Sequence, residues 1–173
     1  MTSMTGRPQE SEAANYYFTY IDRVAGEDVL GTIESQLETA VGYFSAISQE
    51  KSRYRYAPEK WSIREVLNHV SDTERAFAFR SLWFARGFQD PLPGFDQNIA
   101  AAGAGADGVS WAGHVKEFRR IRLSTISLFR NMPGEAWVRT GIASGNPFTV
   151  RALAYIIAGH VEHHMAVLRE RYL

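Results

Sequence analysis

The chain has 173 residues, 45% of them hydrophobic and 22% charged, a balance that fits one globular domain with a buried core. Nineteen lysines and arginines offset nineteen aspartates and glutamates, so no basic excess exists to hold a phosphate backbone or an anionic membrane. Neither nucleic acid nor membrane is an expected partner, and the absence of cysteine excludes disulfides, thiolate ligands and cysteine nucleophiles.

In chain order, residues 1–15 are polar and rich in Ser, Thr, Glu, Gly and Pro, and are expected to form a flexible N-terminal segment before a single domain over 16–173. They show no basic-then-apolar leader pattern, and a cytoplasmic location is the simpler expectation. The most apolar stretch, 152–158, falls far short of the roughly 20 residues a membrane span needs. The first helix is predicted over 28–49, with Val29, Ile33, Leu37, Ala40, Phe44 and Ile47 along one face. A polar connection, 50–60, leads to a second helix over 62–87. Here Ser62 and Glu65 are spaced as a capping box, and Trp61 and Val66 as a hydrophobic staple.

Residues 88–109, with Pro91, Pro93 and the soft run 100–108, read as a long break that crosses over the bundle or covers it as a lid. A third helix follows over 110–131, capped by Ser110 and stopped by Met132-Pro133-Gly134. Residues 135–147 have room for a short hairpin around Ser144-Gly145-Asn146, and a fourth helix is predicted over 149–172. At 1.5 Å per residue these helices are each roughly 30–38 Å long, the lengths a bundle requires. The expected fold class is all-α, a four-helix bundle with a long crossover between its second and third helices.

Five histidines are present, at 69, 114, 160, 163 and 164. His160 and His164 are one turn apart and fall on the apolar stripe of the fourth helix, formed by Val150, Leu153, Ile157, Val161 and Leu168. Two imidazoles stacked on a buried face converge readily on a metal ion. The pattern is not that of a zincin protease, because Val161 follows the first histidine and Glu162 projects to the opposite side. His69 shares a face of the second helix with Thr73, Ala76 and Arg80, and completes a facial three-histidine set. Three protein ligands leave a coordination position free for water or substrate. His163 points off the stripe and reads as a flanking or second-shell residue. His114 lies on the apolar stripe of the third helix, where it either lines the same cavity or is a hydrogen-bonded core histidine. Arg80 either binds a substrate carboxylate or reaches solvent at the end of the bundle. Tyr155 and Arg151 read as surface or interface residues.

The stretch Lys60-Trp61-Ser62-Ile63-Arg64-Glu65-Val66-Leu67-Asn68-His69-Val70-Ser71-Asp72, together with Gly159-His160-Val161-Glu162-His163-His164, resembles the second and fourth helices of the DinB/YfiT-like superfamily. That resemblance implies a four-helix bundle with a long crossover, a homodimer, and zinc or nickel held by His69, His160 and His164. It also implies a small-molecule substrate. Some relatives transfer low-molecular-weight thiols or use them as cofactors, others are regarded as metal-dependent hydrolases, and many have no assigned activity.

The leading expectation is therefore a metal-dependent transferase acting on a small thiol, which the metal would hold as thiolate. The first alternative is hydrolysis by metal-activated water, with Asp72, His114 or His163 as the proton partner. The second is a metal- or ligand-binding module without turnover.

Overall fold

Ser62 starts the longest helix as its sequence demands. Its hydroxyl accepts from the Glu65 amide at 3.1 Å, and the Glu65 carboxylate accepts from the Ser62 amide at 2.8 Å, so two otherwise orphaned donors are satisfied together. In the computed structural model, which describes residues 5–173, the helices are α1 (Phe18–Ile21), α2 (Val29–Ser45), α3 (Ile63–Ala85), α4 (Gln97–Ala104), α5 (Trp111–Arg130) and α6 (Val150–Arg171). The hairpin strands are β1 (Thr140–Ala143) and β2 (Asn146–Thr149). Asp28, Ser110 and Thr149 cap α2, α5 and α6 through their side-chain oxygens.

The four long helices α2, α3, α5 and α6 form the bundle. Each of α3 and α2 packs on both α5 and α6, so the ring order is α2–α5–α3–α6 and consecutive helices α2 and α3 lie across the diagonal. One apolar cluster joins Phe44, Ile63, Leu67, Phe118, Val161 and Leu168 at one end. A second joins Ile33, Phe77, Phe129, Phe148, Leu153 and Ile157 at the other. Truncating any one of these phenylalanines to alanine costs about 3–5 kcal/mol.

Between the two clusters runs a buried polar spine. The Arg122 guanidinium donates to Glu74 Oε2 at 2.8 Å and to Gln36 Oε1 at 2.9 Å. Gln36 Nε2 in turn donates to the Ala158 carbonyl at 3.1 Å and to Glu162 Oε1 at 2.9 Å. One chain of hydrogen bonds thus joins all four bundle helices and fixes their mutual register, because leaving any member unpaired in this interior is costly.

Several expectations are corrected here. The crossover contains a helix: the run read as soft, 100–104, lies in α4, since alanine is the best helix former and Asp96 caps the helix by accepting from the Asn98 and Ile99 amides. The first predicted helix ends at Ser45, four residues early, and the Gln49 side chain instead accepts from the Trp111 amide at 2.8 Å. Of the segment expected to be flexible, residues 1–4 lie outside the described residues. Within residues 5–15, Glu12 accepts from Thr149 Oγ1 and from Arg151 Nε, each at 2.7 Å, and Arg7 donates to the Val24 carbonyl at 2.6 Å. Arg151 is occupied by that ion pair, and Tyr155 is fully buried with its hydroxyl donating to the Gly26 carbonyl at 3.0 Å.

The hairpin forms where predicted, with Ala143 opposite Asn146 and Ser144-Gly145 as the two-residue turn. Both turn residues have positive φ, 52° and 74°, the type I′ conformation that matches the twist of the strands. Leu92 of the crossover pairs with this hairpin, its amide donating to the Ile142 carbonyl and its carbonyl accepting from the Ser144 amide. Among the described residues, no helix is long and apolar enough to cross a membrane.

Candidate metal centre

His160 and His164 occupy successive turns of α6, and His69 faces them from α3, its ring neighbour in the bundle. The three rings turn their Nε2 atoms toward one another: His160 Nε2 lies 3.2 Å from His69 Nε2 and 3.1 Å from His164 Nε2. One ligand atom from each histidine lies within 4.8 Å of the others. Two nitrogens held at about 2.1 Å from one ion are separated by roughly 3.0 Å at a right angle and roughly 3.4 Å at the tetrahedral angle. Both separations from His160 fall between these values, and the three residues together are grouped closely enough to hold a single divalent ion. Protons alone satisfy the cluster poorly, because a neutral imidazole carries one N–H and His160 Nε2 faces two other ring nitrogens.

The electrostatics favour the same reading. Burial lowers the pKa of His69 to about 4, with the charge of His163 adding to the effect. His160 and His164 are driven well below the ordinary histidine value by burial and by the neighbouring imidazoles. All three are therefore neutral at pH 7, the protonation state a metal requires. The Thr73 hydroxyl lies 3.3 Å from His69 Nδ1, placed to fix that ring's tautomer.

Aromatic rings wall the cluster. Trp61 lies against His69 at 5.0 Å between centroids, and Tyr20 stands edge-on to His160 at 5.2 Å. Tyr20 reaches this position because α1 lies almost directly on α6. A Cβ built on Gly159 would sit 1.9 Å from the Tyr20 carbonyl oxygen, so only glycine permits the approach. A cavity of about 200 Å³ opens beside His69 and His160, and Tyr16, Tyr17, Tyr20, Thr73 and Arg80 also line it. Burial raises the pKa of Tyr17 and of Tyr20, so both phenols remain protonated, and the Tyr20 hydroxyl is paired with that of Tyr16 at 2.9 Å.

The other predicted site residues separate. Thr73 and Arg80 join His69 and His160 at the cavity. Asp72 does not: its carboxylate accepts from Asn68 at 2.9 Å and Arg75 at 3.2 Å, and it borders a neighbouring cleft. His114 is a core histidine, with its Nε2 hydrogen-bonded to the Ala106 carbonyl at 2.8 Å, and it does not reach the cavity. His163 is off the cavity wall, half-buried against Tyr20 and His164. Glu162 is engaged with Gln36, as its helical position suggested. Reasoning from sequence missed the tyrosines of α1 and the turn before it, although the aromatic run Tyr16-Tyr17-Phe18 was the available signal. It also missed Ser144, which lines the cavity only because of where the hairpin lies in space.

Comparison with known proteins agrees with this architecture. The sequence profile of the DinB superfamily matches residues 32–168. A solved structure, YfiT from Bacillus subtilis, superposes with a TM-score of 0.69 at 17% sequence identity, covering 94% of this chain and 89% of the other. That protein is described as a probable metal-dependent hydrolase with an unusual four-helix bundle topology. No curated protein matches by sequence.

Proposed function

This chain belongs to the DinB superfamily, and from that premise we propose that it is a metal-dependent hydrolase whose ion is held by His69, His160 and His164. The observation that carries the reading is the convergence of three neutral imidazole Nε2 atoms beside a cavity large enough for a small substrate. A divalent ion held there supplies Lewis acidity and makes water nucleophilic near neutral pH.

The protein's own residues supply the rest. Thr73 orients His69, and Tyr20 and Trp61 exclude solvent from the histidine rings. The phenolic hydroxyl of Tyr17 offers a hydrogen bond to the oxygen that gains negative charge when a carbonyl is attacked. The net reaction adds one water, breaks one acyl bond and leaves the proton on the departing group. Of the two reactions expected from the sequence, hydrolysis has the greater support, since a solved protein of this fold is described as a probable metal-dependent hydrolase. Zinc and nickel both suit three imidazoles, and zinc is the first to test.

Elemental analysis of the purified chain beside His160→Ala tests the site. The expected result is about one ion per chain in the first and under about a tenth in the second. A panel of esters and amides, assayed with and without an added small thiol, tests the reaction. Thiol-independent turnover supports hydrolysis, turnover only with thiol replaces it with thiol transfer, and a metal-loaded protein without turnover leaves a binding module.

A further inference from the structure

Arg80 lies three turns along α3 from His69, roughly 16 Å by helical rise, and its side chain leans back toward the helix N-terminus and the histidines. It is 94% shielded from solvent, yet no carboxylate lies within ion-pairing distance of it among the described residues. Its guanidinium donates to Ser144 Oγ at 2.9 Å, lies 3.4 Å from the Pro93 carbonyl and 5.4 Å from the Phe77 ring centroid, and hydrogen-bonds the Tyr17 hydroxyl, and all four partners are neutral. Ser144 is the one described non-glycine residue with positive φ, at 52°, a conformation that carries a steric cost for a side chain. The type I′ turn that holds it there aims its hydroxyl at the arginine. A buried cation has thus been oriented from two sides while its charge is left uncompensated, which is costly unless an anion completes the site.

The space around Arg80 indicates what that anion belongs to. Arg80, Ala76 and Phe95 line both the histidine cavity and a larger neighbouring cleft of about 540 Å³. That cleft is bounded by apolar surface from Phe79 and Leu92 and by the small residues of α4.

We propose that Arg80 is an anion-binding subsite and that the substrate carries a carboxylate, with an apolar group on one side of it and the reacting bond on the other. A carboxylate is favoured because the planar guanidinium fork matches it with two parallel hydrogen bonds. The apolar group occupies the larger cleft, and the reacting bond lies toward the histidines. The position of the reacting bond rests on the hydrolase reading above, whereas the carboxylate subsite does not.

The two are tested apart by calorimetric titration of the full chain with 4-phenylbutyrate and its uncharged amide, 4-phenylbutyramide. Protein stripped of metal by a chelator is expected to bind the acid at least about tenfold more tightly than the amide. Arg80→Gln, with its helical content and metal content checked against wild type, is expected to bind the two within about twofold. Equal binding of acid and amide by stripped wild type overturns the proposal, as does no binding of either probe. A preference seen only after zinc is restored also overturns it, because the ion would then be holding the carboxylate. The wild-type comparison decides the matter even where the variant does not fold. A chain that carries no metal but keeps the acid preference would defeat the hydrolase reading and leave the subsite standing.

Discussion

Two regions of this bundle each bury a histidine and an arginine, and they resolve that burial in opposite ways. In the corner formed by α3, α5 and the turn at 106–109, Arg64 donates to Ser52 Oγ and to the carbonyls of Asp107 and Val109 at 2.8–2.9 Å. Nearby, His114 is matched to the Ala106 carbonyl. Around the cavity, His69, His160 and His164 face one another, and Arg80 meets only neutral groups, the Ser144 and Tyr17 hydroxyls, the Pro93 carbonyl and the Phe77 ring. Exposure barely distinguishes the two, at 1% for Arg64 and 6% for Arg80, and 4% for both His114 and His160. The difference lies in what the fold provides as partners. Where backbone oxygens saturate the buried donors, the polar group is structural. Where nitrogens face nitrogens and a cation has no anion, the fold itself supplies no complementary partner.

The largest effect that could break this comparison is on stability. Arg64→Ala strips several buried oxygens of their donor and should cost about 3–4 kcal/mol, a fall in melting temperature of about 10 °C, whereas Arg80→Gln should cost less than about 1 kcal/mol. Similar losses from both, measured by thermal unfolding, would mean that Arg80 is as structural as Arg64. Metal comes next. At a free zinc concentration about 100 times the Kd, the wild-type chain should gain about 2.7 kcal/mol and His160→Ala should gain nothing. A variant that gains as much as wild type would place the ion elsewhere. His114→Phe should then lose about 1–2 kcal/mol for the unpaired Ala106 carbonyl while its metal content stays unchanged. Loss of metal in that variant would erase the distinction between the two regions.

The remaining expectation is a pH dependence. Above pH 6.5 the histidines are neutral in both the folded and unfolded chain. Between 6.5 and about 4 the unfolded chain takes up protons that the buried cluster does not, so the metal-free protein should lose stability as pH falls through that window. In the same window the folded ligands stay unprotonated, and bound metal should be retained at pH 5.5, checked by elemental analysis after dialysis. Release of the metal at pH 6.5 would mean that the histidines titrate like exposed ones.

Much of the fold was legible because its signals are local. The capping box at Ser62 and Glu65, the Ser110 cap and the turn at Ser144-Gly145 each depend on a few neighbouring residues, and each forms where expected. Helix α4 was misread because its alanine run was judged by softness rather than by propensity. Helix α1 is only four residues long and has no period to detect. It exists through its packing on Gly159, more than a hundred residues away in sequence. His114 and His160 could not be told apart in advance, since both lie on an apolar stripe and stripe position reports burial alone.

Helical spacing alone placed His160 above His164 on a buried face and put Thr73 and Arg80 on the face of His69, because those relations follow from 3.6 residues per turn. Whether α3 would meet α6 depended on the order of helices around the ring. In a bundle whose consecutive helices are neighbours, its second and fourth helices lie across the diagonal, and their histidines would be separated by the core. Here the ring order α2–α5–α3–α6 makes them adjacent, and the Glu74–Arg122–Gln36 spine holds them in register. That order is set by long-range packing between segments far apart in the chain, for which no local pattern carries the information.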